Sequence, residues 1–245
     1  MGRLLCIGSG KGGTGKTTFS VNIGRALSKL SQSVLIVDTD CGLRCADLML
    51  SGGDQAVFDL GDLVENSCDA SDAIVSISPC LDFIAASPFS LSPEQSETAC
   101  EILNSLRSLY DFIIFDRPAG LDFSMERGCV FPESIIITTT DPLSLRSAST
   151  YTDLLREVLP DIPARLVINR TIPELICKRM VPNLDSITDT IGARLLGIIP
   201  EDNSLSISLS KGICPEKGPA AKAFKRIAKR LIGEDVPLPK LKKLI

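Results

Sequence analysis

The chain contains no histidine. Imidazole acid–base catalysis and imidazole metal ligation are excluded with it. Its nine cysteines include no C-x-x-C pair, and Cys41 and Cys45 stand closest together. A metal cluster would need thiols from two subunits, which is kept as an alternative. An odd count without a disulfide framework points to a reducing cytoplasm, with most of the cysteines acting as small core residues. There is no run of 18 or more apolar residues, so no membrane-spanning segment is expected. The first apolar run begins almost at the N-terminus, and no signal peptide is expected. No linker, internal repeat or low-complexity tract divides the sequence. The formal net charge of −4 makes non-specific DNA binding a poor expectation unless positive charge is gathered in one place.

What the chain has is a phosphate-binding loop. Residues 10–17 read Gly-Lys-Gly-Gly-Thr-Gly-Lys-Thr, directly after Leu4-Leu5-Cys6-Ile7. This matches G-x-x-x-x-G-K-[ST] in full and adds a second lysine, Lys11. Gly10, Gly12, Gly13 and Gly15 let the backbone approach a triphosphate and aim N–H groups at it, with Thr14 between them. The segment from Lys16 to Leu30 is expected to be a helix whose positive end faces the phosphates. Lys16 is then placed for the β- and γ-phosphates, Thr17 for a magnesium ion, and Thr18 for the α-phosphate. Gly8-Ser9-Gly10-Lys11-Gly12-Gly13 also fits the dinucleotide fingerprint G-x-G-x-x-G. A dinucleotide site has no use for Gly-Lys-Thr at the helix start and would leave Lys16 unpaired.

A phosphoryl-transfer site also needs carboxylates. Two apolar runs supply them: Val34–Val37 ends in Asp38-Thr39-Asp40, and 111–115 ends in Asp116-Arg117-Pro118-Ala119-Gly120. In an open parallel sheet, ligands lie beyond the carboxyl ends of the strands, which brings both acidic segments to the loop. Asp40 is assigned to positioning water, Asp116 to the magnesium shell, and Asp38 to supporting that shell. A plain strand-end turn acid is the competing reading for each.

Apolar runs alternate with helix-like segments, as in a mostly parallel sheet covered by helices on both faces. Strands are expected at 3–8, 33–38, 82–86, 111–116, 134–139, 164–169 and 194–199. Helices are expected at 16–30, 56–65, 92–108, 122–130, 143–159, 184–192 and 218–232, with a short helix within 170–183. Ser92-Pro93 and Asp141-Pro142 read as helix starts. The last helix places Ala220, Phe224, Ile227 and Leu231 on one face, with Lys222, Lys225, Arg226, Lys229 and Arg230 on the others. That cationic side is either a solvated face or a contact for lipid or nucleic acid. The 245 residues divide into an α/β domain over 1–235 and a short basic and apolar tail over 236–245. In the tail Lys240, Lys242 and Lys243 alternate with Leu241, Leu244 and Ile245, as in a weak anionic-membrane contact or a frayed end.

Lys11-Gly12-Gly13-Thr14-Gly15-Lys16-Thr17-Thr18 resembles the deviant Walker A motif of the MinD/ParA ATPases. Residues 38–47 are similar to the D-x-D-x-G-L-R-N-L-D switch segment of the family's MinD branch, and residues 116–120 to its D-S-P-A-G. The resemblance runs from about residue 3 to 238. It implies a P-loop NTPase fold and magnesium-dependent hydrolysis of ATP. It further implies a homodimer formed with ATP, in which Lys11 reaches the partner's nucleotide. Asn169-Arg170 resembles the adenine-reading pair, and Pro200-Glu201-Asp202 the segment closing over the base. Three departures stand out. Cys45-Ala46 replaces Asn-Leu, Arg117 replaces Ser and reads either as an extra phosphate contact or as a surface residue at a strand end, and the tail is shorter than the family's amphipathic membrane-targeting helix. The expected function is an ATP-dependent dimerising switch. It would control association with a membrane and a regulatory protein in cell-division site placement, from the cytoplasm or the inner face of the cell membrane. The alternative is DNA or cargo partitioning of the ParA kind, against which the acidic balance and Pro118-Ala119-Gly120 both lean. A switch that binds ATP but hydrolyses it poorly is a further reading.

Overall fold

The computed structural model describes residues 1–41, 45–50, 56–123, 133–209, 215 and 217–239. The strands are β1 (Arg3–Gly8), β2 (Val34–Asp38), β3 (Val75–Ser78), β4 (Leu81–Ile84), β5 (Phe112–Asp116), β6 (Glu133–Thr138), β7 (Ala164–Thr171) and β8 (Arg194–Pro200). The helices are α1 (Lys16–Ser28), α2 (Cys45–Leu50), α3 (Leu60–Val64), α4 (Ala70–Ala73), α5 (Pro93–Ser105), α6 (Pro142–Val158), α7 (Pro173–Cys177), α8 (Leu184–Ile191), α9 (Asn203–Leu209) and α10 (Pro219–Leu231).

The strands form one sheet in the order β3-β4-β2-β5-β1-β6-β7-β8. Every neighbouring pair is parallel except β3 with β4 at one edge. β2, β5 and β6 are buried along their whole length, as is β1 beyond Arg3, so they read as unbroken apolar runs rather than alternating ones. Alternation decides only which face each side chain serves. Leu5, Ile7, Ile36 and Ile114 pack with Phe19, Ile23 and Leu27 of α1 and Phe224, Ile227 and Leu231 of α10. Leu4, Leu35, Ile113 and Phe115 pack with Leu60 and Leu63 of α3 and Leu103 of α5. Ile136, Leu166 and Ile168 pack with Tyr151 and Leu155 of α6 and Ile187 and Ile191 of α8. Helices therefore cover both faces, as the pattern predicts.

Helix starts follow local chemistry. Ser92 caps α5 with a reciprocal Gln95 bond, and Asp141 caps α6 by accepting the Leu143 and Ser144 N–H groups. Several expectations need correction. The helix expected at 56–65 is only α3, and α2, α4 and α9 were not expected. The strand expected at 82–86 ends at Ile84. β3 was missed because Val75-Ser76-Ile77-Ser78 is short and half polar. Its turn to β4 also puts Cys80 at φ 66, where glycine or asparagine would have signalled it. The helix expected at 122–130 lies mostly outside the described residues, as do switch residues 42–44 and tail residues 240–245. Residues 234–239 are not helical, consistent with Pro237 and Pro239. Most of the described cysteines are not core residues. Cys6 and Cys100 are buried, Cys41, Cys45 and Cys68 half-buried, and Cys80 and Cys177 exposed. Cys100 is disulfide-bonded, against the expectation of reduced thiols.

The Phe224 ring lies 6.0 Å from that of Phe19 and locks α10 to α1 over the sheet. Phe224→Ala should lower unfolding free energy by about 3–5 kcal/mol in urea denaturation, through lost burial and a cavity.

Candidate functional site

β1 runs through Gly8 into the loop 9–15, and α1 begins at Lys16. Two positions require glycine for conformation: Gly13 has φ 76 and Gly15 φ 94. The Asn169 side chain ties the loop down by donating from Nδ2 to the Thr14 carbonyl at 2.8 Å. Ser9 Oγ donates to the Lys11 carbonyl at 2.7 Å.

The two lysines face different ways. Lys16 is 7% exposed, whereas the Lys11 side chain is 40% exposed. Burial lowers the pKa of Lys16; Asp116 and Asp40 oppose that shift, and Arg117 adds to it. Lys11 Nζ lies 3.1 Å from Asp141 Oδ2 on the same chain. Asp141 also accepts the Ser144 hydroxyl at 2.6 Å. Ser144, Lys11 and the helix N–H groups hold its carboxyl well below the usual range.

Strand register builds the acidic side. Asp116 pairs in register with Ile7 of β1 and Asp38 of β2. Thr39 donates from its N–H at 2.9 Å and from its hydroxyl at 3.0 Å to the Asp116 carbonyl, which fixes Asp40 beside the site. Asp116 Oδ1 accepts the Ser20 hydroxyl at 2.9 Å. Burial pushes the Asp116 carboxyl up to about 6, against the Thr17 and Ser20 hydroxyls and Lys16. Burial, and then Asp116, push Asp38 up to about 7, although Asp38 accepts the N–H groups of Asp40 at 2.9 Å and Ala46 at 3.4 Å. Asp116 Oδ2 is buried without a hydrogen-bond partner, and the Thr17 hydroxyl lies near the carboxyl. A divalent cation matches that donor set, because it would supply the missing partner and favour both ionised carboxylates. Among the described residues no three Cys, Asp or Glu side chains close on a metal by themselves. Magnesium beside a nucleotide draws most of its ligands from phosphates and water.

A cavity of about 320 Å³ opens beside the start of α1. Thr18, Asn169, Arg170, Pro200, Glu201 and Asp202 line it, so the residues expected around the base are brought together. Asn203 and Leu205, which sequence reasoning did not select, complete the wall. Arg170 takes φ 50, and Asp202 Oδ2 accepts the Ala220 N–H at 3.1 Å.

Arg117 corrects the sequence reading. It is buried rather than a surface residue, and its guanidinium bonds to protein groups. It is 5% exposed and donates to the Tyr151 hydroxyl at 2.8 Å and to the Asp122 carbonyl. Sequence reasoning also missed Ser20, Thr39 and Tyr151. It found Asp141 as a helix cap but not as a partner of Lys11.

The family model described as the CobQ/CobB/MinD/ParA nucleotide binding domain matches residues 5–215. The septum site-determining protein MinD of Synechocystis is 34% identical over 97% of this chain and 92% of its own length. A MinC:MinD cell division protein complex from Aquifex aeolicus aligns with TM-score 0.88 and 32% identity, over 97% of this chain and 99% of that one. MinD from Pyrococcus horikoshii, complexed with Mg-ADP, aligns with TM-score 0.81 and 25% identity, over 95% and 97%.

The raised carboxyls predict a pH slope. A carboxyl that binds its proton more tightly when folded adds stability below its unfolded pKa and loses that contribution as pH rises through the folded value. Nucleotide-free, magnesium-free protein should lose on the order of 2 kcal/mol between about pH 5 and pH 8, and Asp38→Asn should flatten that slope. Urea denaturation across the range checks it, and an equally steep slope in the variant would rule it out.

Proposed function

Because the chain belongs to the CobQ/CobB/MinD/ParA nucleotide-binding family, we propose that it is a MinD-type ATPase switch acting in cell-division site placement. One observation carries the reading: a single glycine loop presents one lysine inward, buried above Asp116, and a second lysine outward at its rim. A site serving only its own chain's nucleotide needs the first. The second suits the phosphates of a neighbouring copy.

In this reading Gly10–Gly15 cradle the phosphates through backbone N–H groups, and Lys16 neutralises the β- and γ-phosphates. Thr18 contacts the α-phosphate. Asn169, Arg170, Pro200, Glu201 and Asp202 surround the base. Thr17, with Asp116, Asp38 and Asp40 around it, would hold a magnesium ion, which when bound supplies positive charge to the phosphate oxygens. Asp40 orients a water molecule whose oxygen bonds to the γ-phosphorus as the bond to the bridging oxygen of ADP breaks. Lys11 of the second protomer and Lys16 stabilise the charge on the transferring group. No histidine is needed, because positioning and electrostatics carry this chemistry.

The MinC:MinD complex supports a regulatory protein as partner of the dimer. The tail, 236–245, extends the ATPase domain of 1–235. Its lysines and leucines, doubled in a dimer, would meet an anionic membrane through avidity. No described helix is long and apolar enough to cross a membrane.

The test is oligomeric state by light scattering with magnesium and either ADP or a non-hydrolysable ATP analogue. The unsubstituted protein should be monomeric with ADP and dimeric with the analogue, and Lys11→Ala should remain monomeric with both. Asp40→Ala should still dimerise while phosphate release falls by about 10²-fold. A nucleotide-insensitive monomer would remove the switch. ATP-dependent, salt-sensitive binding to random DNA would favour the partitioning reading instead.

A further inference from the structure

The chain leaves β5 at Asp116 and crosses beside the phosphate loop before reaching Phe123. Gly120 N–H donates to the Ser9 carbonyl at 3.1 Å, and the Ala119 methyl lies 4.0 Å from where a Cβ on Gly12 would stand. Pro118, Ala119 and Gly120 carry no side-chain hydrogen-bonding group, and Gly120 has φ 135. Such a segment costs about 1–2 kcal/mol of backbone entropy per residue to hold in one conformation. Something outside it must fix it.

Arg117 is placed to do so. Its N–H donates to the Ile7 carbonyl at 3.4 Å. Its guanidinium places Nη1 on the Tyr151 hydroxyl at 2.8 Å and Nη2 on the Asp122 carbonyl. The Cζ lies 5.3 Å from the Phe123 ring centroid and 6.0 Å from that of Tyr151, and those two rings are 5.0 Å apart. Tyr151 is fully buried and abuts Gly8, where even a methyl group would collide with its hydroxyl. The contacts form a closed circuit from residues 117–123 through Arg117 and Tyr151 to Gly8, at the floor of the phosphate loop.

We propose that Arg117 is a positioning residue for ATP hydrolysis, stapling the 117–123 segment to α6 so that Pro118–Gly120 stay registered on Ser9 and Gly12. The inference rests on the ATPase reading above. It requires the planar fork of an arginine, which reaches a hydroxyl, a carbonyl and two rings at once. A lysine is a single point charge and cannot replace it. In that reading the nucleotide is held by loop N–H groups and Lys16, and Pro118–Gly120 add no side-chain donor to them, so the staple is expected to act on the rate rather than on affinity.

The experiment compares Arg117→Ser, Arg117→Lys and Tyr151→Phe with the unsubstituted protein. The measurements are single-turnover phosphate release from Mg-ATP and equilibrium binding of a fluorescent ADP. Both arginine variants should release phosphate at least about tenfold more slowly, as misplacement in a reacting site does. ADP affinity should stay within about threefold. Tyr151→Phe should slow release in the same direction by a smaller factor. A parental rate in Arg117→Ser, or full rescue by Arg117→Lys, overturns the proposal. So does a loss of ADP affinity as large as the loss of rate. If Arg117→Ser does not fold, a parental rate in Tyr151→Phe overturns it alone. No phosphate release by the unsubstituted protein would overturn the ATPase reading and this inference together.

Discussion

Asp38 and Asp116 end neighbouring parallel strands in register, so both carboxyls are buried at the carboxyl ends of two central strands. On top of the cost of burial, Asp116 raises the proton affinity of Asp38, and Asp40 raises that of Asp116. The sheet cannot move them apart without breaking the β2–β5 register on which both helical layers rest. Charge must therefore be brought to them. Lys16 supplies part of it from the first turn of α1, at the cost of its own desolvation. The rest is the natural place for a divalent cation and the hydroxyls of α1. A site that is electrostatically incomplete within the chain is one whose conformation responds to magnesium and nucleotide.

The outer lysine obeys a different economy of forces. Lys11 and Asp141 are both about half exposed, and solvent screening leaves such a pair contributing little to stability. That contact orients Lys11 without holding it. In the proposed dimer Lys11 exchanges Asp141 for a polyphosphate, whose charge is denser and whose surroundings are drier.

The site was legible where one local pattern suffices. The octet at 10–17 dictates strand, glycine turn and helix. Apolar runs ending in Asp38 and Asp116 become strand ends facing the loop once the sheet is taken as parallel. Asn169 and residues 200–202 were legible only through family resemblance, since their meeting depends on the β7–β8 pairing far from the loop in sequence. Ser20 left no signal, because a serine on an apolar helix face looks like any other small residue until Asp116 is opposite it. The burial of Arg117 could not be read. A cation after a strand end is ordinarily exposed, and its burial depends on Tyr151, 34 residues away, being opposite Gly8. β3 was lost for a local reason: its turn uses a cysteine at positive φ.

The route from nucleotide to tail is constrained by α10. Asp202, in the wall of the base cavity, accepts the Ala220 N–H in the first turn of this helix. Ile227 packs on Gly197, and Arg230 donates to the Leu196 carbonyl near the start of β8. The helix thus runs antiparallel to the strand, and its 13 residues span about 20 Å. The chain beyond it, held where Arg230 Nε meets the Val236 carbonyl at 2.7 Å, leaves from the end of the sheet opposite the phosphate loop. A γ-phosphate cannot touch residues 234–239 there. If nucleotide state governs membrane contact in this protein, it does so by setting how many tails are presented together, because two weak anchors on one dimer bind far better than either alone.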